Sequence, residues 1–473
     1  MAIFKNSPPL PNNYQDYLRQ ALTDGGTYEP VPTAQFLEQY NKIVAYNPSM
    51  VMFPSAKKTG FLYSITPNTA SFNYTSSRSS NSGSYFDRNG VLRLVVANEP
   101  RLTYTIGTPN QFKGVLIEPA SKNWFAYGET MGTDVLTFSF NPAPLPTRSV
   151  ALDVLSPAKL YNAVKVTGGS GSSSSWGIYQ FIPQGILSGS SLCGSIFARA
   201  GTNSTFMVTY TNQTGTGNAS STFDVSNGTT PTAGAKIENW GDGWYRCIMA
   251  PFTLNADANA SFNVGIYVTP STSSTTWSTD YTGKTMYFYG GQMENYSFAT
   301  SYIPTPNVTA SRSADTISSP LLNFATTAWT IFFEIEYLYD YAANTGDVSG
   351  FNPGYVWYFR RINSTTVNFH NQNAQQTIGS YTFSPANSQK RFRCILSFNG
   401  STLNAFINGT KIATNLTPTN LSPYQTFFNG NTSRIVSTKT NLVGSLDSSH
   451  VIKWMVTYNY QLDDQSSIFL TTL

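Results

Sequence analysis

The chain has 473 residues, more than one ordinary core accommodates, so we expect roughly two to four domains. Charged residues make up 11% of the chain, well below the roughly 25% usual for soluble globular proteins, and the net charge is only +4. Scattered lysine and arginine argue against a nucleic-acid partner, and 14% aromatic residues argue against disorder. Abundant aromatic, Ser, Thr, Asn and Gly residues predict an all-β protein of strands joined by tight turns.

Residues 1–60 contain the two best helical candidates, Tyr14–Leu22 and Pro32–Ala45. Neither is long enough to be stable alone, so we expect this segment to anchor the chain on a partner or on neighbouring copies. The alternative is an N-terminal arm folded onto its own sandwich. The segment lacks a signal-peptide pattern and no stretch of the chain approaches 18 apolar residues, which predicts a protein made in the cytoplasm without membrane insertion.

Residues 61–120 predict a β-hairpin connector. The pair Asn89-Gly90 is typical of a hairpin turn, and it lies between two short strand patterns, Ser84–Asp87 and Val91–Val96.

Residues 121–306 predict a first β-sandwich. Leu192–Gly201 alternates between polar and apolar residues as a strand does, and breaks rich in Ser, Gly, Asn and Thr follow at Thr211–Asn218 and Ser226–Gly234. Short strands separated by such loops indicate a jelly roll or sandwich.

Residues 307–473 predict a second β-sandwich. Thr327–Tyr337 alternates as a strand, and two Asn-Gly pairs, Asn399-Gly400 and Asn408-Gly409, predict hairpin turns between further strands. The fold class is therefore two tandem jelly-roll or β-sandwich domains, preceded by a small, partly helical N-terminal segment and a β-hairpin region.

Three groups of motifs resemble virion appendage proteins of tailed bacteriophages. The first is A-K-I-E-N-W-G-D-G-W-Y-R-C from Ala235 with M-Y-F-Y-G-G-Q-M-E-N-Y-S-F-A-T-S-Y-I-P-T from Met286, and it resembles the closing strands of a carbohydrate-binding-module-like sandwich. The second, D-R-N-G, N-E-P-R and G-V-L-I-E between Asp87 and Glu118, is similar to a segment of phage tail and head-appendage proteins. The third, W-M-V-T-Y-N-Y-Q-L-D-D-Q from Trp454, resembles the final strand of concanavalin-type, laminin-G-like folds.

The resemblance implies a tail fibre, collar whisker, head fibre or capsid-decoration protein. It implies a homotrimer that attaches to other virion proteins through its N-terminal region and is localised in the virion. Arg101 and Glu118 belong to the second motif group, and we interpret them as an ion pair at a domain junction rather than as catalytic residues.

Catalysis is not expected. Glycoside hydrolysis needs two positioned carboxylates, and Glu334 with Glu336 is the close pair on one strand. Glucanases of the concanavalin fold carry a third acidic residue on that strand, where this chain has Leu338, so we expect an edge strand with a polar outer face. Two histidines in the whole chain leave few members for a Ser–His–Asp triad.

Saccharide binding is better supported by the sequence. Sugars present flat C–H faces and hydroxyl rims, so their sites combine exposed aromatic rings with polar side chains. The alternative for each tryptophan is a place in a sandwich core, which we expect for Trp244 and Trp454. The glycan-binding candidates are Trp176, Tyr179, Trp240, Asp242 and Trp357.

Neither a cofactor nor a disulfide framework is expected. Cys193, Cys247 and Cys394 are an odd number without paired spacing, and we predict three small buried hydrophobic residues. Two histidines and the lack of a C-x-x-C motif argue against zinc. An Asp-bearing loop of such modules can hold structural calcium, although no EF-hand-like spacing occurs.

The sequence supports two functions from different classes. The first is a structural component of a phage virion whose glycan-binding-like sandwiches attach to the host surface, with a purely structural virion protein as its variant. The second is a carbohydrate-active or adhesive protein of a bacterium. The fold alone does not choose between them.

Overall fold

The computed structural model describes residues 27–28, 34–58, 60–65, 74–105, 112–131, 136–140, 145–170, 172–173, 175–182, 190–212, 219–253, 262–269, 279–318, 328–340, 357–371, 376–417, 434–437 and 449–472. Within these residues the protein is almost all β, with 34 strands and two short helices. The strands form two β-sandwiches, as the sequence predicted.

The N-terminal third supplies one helix and nine strands. They are α1 (Ala34–Val44), β1 (Thr27–Tyr28), β2 (Met50–Lys58), β3 (Phe61–Ile65), β4 (Tyr74–Ser77), β5 (Gly83–Phe86), β6 (Leu92–Val95), β7 (Leu102–Tyr104), β8 (Phe112–Ile117) and β9 (Ser121–Asn123).

The first sandwich follows along the chain. Its strands are β10 (Leu136–Phe140), β11 (Thr147–Val150), β12 (Val164–Thr167), β13 (Ser172–Ser173), β14 (Ser175–Ile182), β15 (Ser191–Ala200), β16 (Thr205–Asn212), β17 (Ala219–Asp224), β18 (Lys236–Asn239), β19 (Trp244–Ile248), β20 (Phe252–Thr253), β21 (Phe262–Val268), β22 (Thr279–Asp280) and β23 (Thr285–Glu294). A sheet ordered β11-β12-β23-β15-β19-β18 packs on a sheet ordered β10-β14-β21-β16-β17. Phe206, Phe288 and Ile266 lie in the core between them.

The remaining elements form the linker and the second sandwich. They are β24 (Ala310–Arg312), β25 (Thr316–Ser318), β26 (Trp329–Tyr337), β27 (Trp357–Asn363), β28 (Thr366–Asn371), β29 (Gln376–Thr382), β30 (Arg391–Phe398), β31 (Leu403–Ile407), β32 (Thr410–Leu416), β33 (Arg434–Ser437), β34 (His450–Tyr458) and α2 (Asp464–Thr471). The three-stranded sheet β27-β28-β29 packs on one face of the large sheet that contains β30, β26 and β34.

The two helices cover the other face of that large sheet. Tyr40 and Ile43 of α1 are fully buried and pack with Trp454 of β34. The helix α2 begins where the side chain of Asp463 accepts a hydrogen bond from Ser466 N, and it buries Leu470 in the same core. An amphipathic helix is stabilised by such packing more than by its own propensity.

Most strands of residues 1–120 are built into the large sheet of the second sandwich, whereas β5 and β6 form a separate hairpin that packs on the first sandwich. The helix predicted over Pro32–Ala45 is present as α1, whereas Tyr14–Leu22 lies outside the described residues. Strands β2 and β8 both pair with β34, at the opposite end of the chain. This arrangement corresponds to the alternative of an N-terminal arm folded onto its own sandwich; an additional anchoring role stays a prediction.

Two predicted hairpins form with different turns. Asn408 and Gly409 both have positive φ, 47° and 78°, and join β31 to β32 as a two-residue turn. Between β5 and β6 the loop is longer than an Asn-Gly turn, because the Asp87 carboxylate accepts hydrogen bonds from Asn89 N (2.8 Å) and Val91 N (2.9 Å) and organises it.

The expectation of an edge strand at Glu334 and Glu336 is wrong. Strand β26 lies between β30 and β34 in the large sheet, so both of its edges are paired. The sequence pattern of one strand does not reveal that a neighbour arrives from residues 450–458.

Candidate functional site

A buried cluster of five charged residues joins the two sandwiches to the connector. The guanidinium of Arg101 donates to Glu118 (Nη1–Oε2 2.6 Å) and to Asp315, and Arg312 Nη1 lies 3.0 Å from Glu118 Oε2. Arg78 Nη1 lies 3.1 Å from Asp315 Oδ1. All five side chains are buried. The predicted ion pair of Arg101 and Glu118 at a junction is thus confirmed, within a larger cluster.

The carboxylate of Glu118 is held in its charged form. Burial alone would raise its pKa, but the charges of Arg312 and Arg101 and the hydrogen bonds from Ser301 outweigh burial and lower the pKa to about 2. Ser301 donates to it through both its backbone N (2.7 Å) and its hydroxyl (2.5 Å). Three guanidinium groups against two carboxylates make the cluster an interlocked unit rather than a proton-transfer site.

Asn123 ties the closing motif of the first sandwich to the same junction. Its side-chain N donates to Gly291 O (3.1 Å) and Ile303 O (2.9 Å), and its side-chain O accepts from Phe125 N and Met293 N, each at 3.0 Å. Asn123 is fully buried, so the G-G-Q-M-E and S-Y-I-P-T motifs have a structural role here.

A cleft of about 130 Å³ opens beside this junction, where the connector, the first sandwich and the second sandwich meet. Five aromatic side chains line it: Tyr85, Phe86, Tyr104, Trp240 and Tyr339. The polar side chains lining it are Ser84, Thr103, Lys113, Glu118, Glu238, Arg246 and Ser301. Aromatic walls with a few convergent polar groups are typical of small-molecule sites.

Two of the polar groups have hydrogen-bonding capacity that the described residues leave unused. Arg246 is 4% exposed; its Nη2 donates to Ser195 Oγ (3.1 Å) and Thr300 O (2.5 Å), but its Nε has no hydrogen-bond partner among the described residues. Glu238 is half-buried and accepts one long hydrogen bond, from Trp240 Nε1 at 3.3 Å. A buried N–H without a partner costs about 1–3 kcal/mol, which a ligand acceptor would recover.

Trp240 lies in the cleft wall but is not the exposed stacking platform that the sequence predicted. It is 8% exposed, because its ring packs edge-to-face against Phe86 and Phe197, each with ring centroids 4.7 Å apart. Asp242 lies outside the cleft, on an exposed turn at φ 50°, and pairs with Lys159.

The other three candidates are described by their backbone positions alone. Trp176 and Tyr179 lie on β14, in the sheet of the first sandwich that does not contain β18 and β19, and Trp357 begins β27 of the second sandwich. Only their backbone positions are described, so their role in binding stays a prediction.

The carboxylate pair of β26 is fully engaged by cations. Glu334 is completely buried and accepts from Arg391 Nε (2.5 Å) and Arg393 Nε (2.8 Å). Glu336 pairs with Lys113 at 3.1 Å and Lys453 at 3.3 Å. Burial would raise the pKa of Glu336, but these two lysines outweigh burial and lower the pKa.

Sequence reasoning missed Tyr85, Tyr339, Glu238 and Arg246 as members of one cleft. Glu238 and Arg246 pair across β18 and β19, inside the motif that the sequence singled out, so the signal was local. Tyr339 follows β26, a hundred residues further on, and no periodicity links it to them.

The predicted cysteine environment is confirmed. All three cysteines are free and buried, and burial chiefly raises the pKa of Cys193, to about 12. Within the described ranges, no group of three or more His, Cys, Asp or Glu side chains could hold a metal ion. No described helix has the length and apolar character needed to cross a bilayer.

No family model and no curated protein matches the chain. Among solved structures it is similar to the binding domain of botulinum neurotoxin serotype C1, at 18% identity over 33% of this chain and 40% of that chain, with a TM-score of 0.24. It is also similar to the Trypanosoma rangeli sialidase in complex with 2,3-difluorosialic acid, at 11% identity over 94% and 97% of the two chains, with a TM-score of 0.24. The chain thus spans about 40% of the neurotoxin domain. TM-scores this low carry no argument about function.

Proposed function

We propose that this protein is an appendage component of a tailed-bacteriophage virion that binds a saccharide of the host surface, without catalysis, in the cleft between its sandwiches. It would be made in the host cytoplasm and attached to other virion proteins through its N-terminal region.

The composition of the cleft is the observation that carries the binding proposal. Tyr85 and Tyr339 are half-buried rings in the cleft wall; Tyr339 stacks on Phe298 with ring centroids 4.8 Å apart, and Lys57 Nζ lies 4.9 Å from the ring centroid of Tyr85. The part of each ring that lines the cleft is the apolar surface for the C–H face of a sugar. Glu238 accepts from sugar hydroxyls, and Arg246 Nε donates to a sugar oxygen. A volume of about 130 Å³ is small beside the pockets of drug-sized ligands and suits one sugar unit of a longer chain.

The virion setting rests on the order of the three motif groups and on where their residues lie. Arg101, Glu118 and Asn123 are the buried residues that fasten the connector and the sandwiches together. An appendage protein binds the host at one end and the virion at the other. It therefore needs a stiff connection between its attachment and binding regions.

The hydrogen bonds and ion pairs of the carboxylates in the cleft support binding without hydrolysis. In the cleft, Glu118 is locked by two arginines and by Ser301, which leaves Glu238 as the carboxylate with acceptor capacity to spare among the lining residues. A glycoside hydrolase would need a second available carboxylate at a suitable distance from Glu238.

A purely structural virion protein is the second candidate. The observation that favours it is that the motif residues lie inside the junction, as Arg101 and Asn123 do, rather than on an exposed surface. In that case the cleft would be a packing defect without a ligand.

A bacterial-surface glycan array separates the two candidates. The wild-type protein should bind a restricted set of glycans, and Tyr339→Ala and Glu238→Gln should each weaken binding at least tenfold, since a lost hot-spot contact costs about 1.4 kcal/mol or more. Phe469→Ala, at a 47% exposed aromatic residue of α2 that does not line the cleft, is the matched control and should bind as wild type does. Absence of any selective hit, or equal binding by the cleft variants, would favour the structural role.

A further inference from the structure

The loop that links β11 to β12 exposes a cluster of large apolar side chains. Residues 151–163 form this segment, named here the apolar loop. Its exposed members are Leu152 (78% exposed), Leu155 (38%), Leu160 (57%) and Tyr161 (59%). Val150, the last residue of β11, adds a further 39% exposed side chain.

Backbone hydrogen bonds bring the two arms of the apolar loop together, and its exposed side chains are called the patch below. The base of the apolar loop is closed by Ala151 N donating to Ala163 O at 2.8 Å, and its tip by Ser156 N donating to Leu160 O at 2.8 Å. The backbones of Leu152 and Tyr161 therefore lie on facing arms near the base of the loop, and those of Leu155 and Leu160 on facing arms near its tip.

The inner side of the apolar loop is anchored in the core. Trp244 Nε1 donates to Leu155 O at 2.8 Å, and Val154 and Ala163 are buried in the cluster that contains Trp244. The loop is thus fixed in shape, and the exposure of its outer side chains is not a consequence of loose packing.

The exposed area of these side chains is large for a monomer. The five side chains expose on the order of 500 Å², near the upper end of the largest apolar patch on typical monomers. A standard interface takes about 800 Å² from each partner. With its polar rim, the patch is close to that size.

Charges around the patch balance each other. Lys159 pairs with Asp242, and Lys165 Nζ lies 2.8 Å from Asp153 Oδ2; all four side chains are at least 31% exposed. Two cations and two anions give no field that would favour a polyanion or an anionic lipid surface. Each copy instead offers both partners of a salt bridge, so the rim is complementary to itself.

We infer that the apolar loop, together with the edge strand β11, is an interface between copies of this chain. Among the described strands, β11 pairs only with β12, so its other edge can meet a second copy beside the apolar loop. This inference is independent of saccharide binding, since none of the loop's exposed side chains lines the cleft.

Light scattering after size-exclusion chromatography tests the inference on the full chain. The wild type should have a mass that is a multiple of 51.9 kDa, and the variant carrying Leu152→Asp and Tyr161→Asp should fall to the single-chain mass. Val308→Asp, at a 62% exposed valine outside the loop, is the matched control and should keep the wild-type mass. A single-chain wild type at every concentration, or an unchanged mass in the double variant, would overturn the inference.

Disulfide cross-linking keeps the test informative if the double variant fails to fold. The three native cysteines are buried. A Tyr161→Cys substitution therefore adds one accessible thiol to a chain whose own thiols are buried. Mild oxidation should link two copies through it, whereas Val308→Cys should stay unlinked. Equal linking of both variants, or of neither, would contradict an interface at the apolar loop.

Discussion

Neutralising Glu118 is expected to weaken the connection between the two sandwiches. In the folded chain the Glu118 carboxylate pairs with Arg101 and Arg312 and accepts two hydrogen bonds from Ser301. Glu118→Gln keeps the side-chain size but removes the charge, so Arg312 would lose its carboxylate partner and Arg101 would keep only Asp315.

The magnitude follows from the pKa of Glu118. It is lowered from an ordinary 4.5 to about 2, and each pKa unit corresponds to about 1.4 kcal/mol, so ionisation contributes about 3 kcal/mol to the free energy of unfolding. Removal of one partner of a buried ion pair typically costs about 3–5 kcal/mol, in agreement. Because the folded-state pKa lies below the unfolded one, this contribution is present above about pH 4.5 and is lost as the pH falls towards 2.

Urea unfolding, followed by tryptophan fluorescence, measures the effect. At neutral pH Glu118→Gln should unfold at a lower urea concentration with an unchanged slope, and its difference from the wild type should shrink on acidification. Glu38→Gln, which removes a solvent-exposed carboxylate on α1, is the control and should retain the wild-type midpoint. Equal stability of Glu118→Gln and wild type at neutral pH would refute the reasoning.

Three further outcomes are expected. Gly114→Ala should lower the melting temperature by several degrees, because the φ angle of Gly114 is +139° and the added Cβ would lie 2.3 Å from Ile452 O. An unchanged melting temperature would contradict the β8–β34 pairing. Glu334→Gln should destabilise the second sandwich by about 3 kcal/mol in urea unfolding, since it leaves Arg391 and Arg393 without their carboxylate. An unchanged stability would mean that solvent reaches these two arginines and replaces the carboxylate. In native protein at pH 8, the thiols should not react rapidly with an aromatic disulfide reagent, because all three are buried and burial chiefly raises the pKa of Cys193 to about 12. Unfolded protein should show three reactive thiols.

Local patterns predicted the fold class and several individual elements. The helix α1, the hairpins at Asn399-Gly400 and Asn408-Gly409 and the alternating strand β26 each depend on residues within a few positions of one another. Strand pairing over long distances was not predictable in this way. The contacts of β34 with β2 and β8 span more than 300 residues, and they place α1 on the second sandwich. The pairing of β34 with β26 makes β26 a central strand.

The candidate site was predicted only in part, for the same physical reason. The sequence identified Trp240, but its exposure depends on the hairpin β5–β6, which places Phe86 against its ring. The cluster around Arg101 was recognised as far as Glu118, whereas Asp315 is contributed from 214 positions away. A tryptophan in a turn-rich segment is equally compatible with a binding surface and a core until its neighbours are known.

The most direct test of the central claim is binding of fluorescently labelled protein to intact bacteria from a panel of strains. Wild-type protein should label a restricted set of strains, and a soluble surface saccharide from those strains should compete. Tyr339→Ala should reduce labelling at least tenfold, whereas Phe469→Ala should label as wild type does. Labelling that Tyr339→Ala leaves intact, or the absence of labelling on every strain, would contradict saccharide recognition in the cleft.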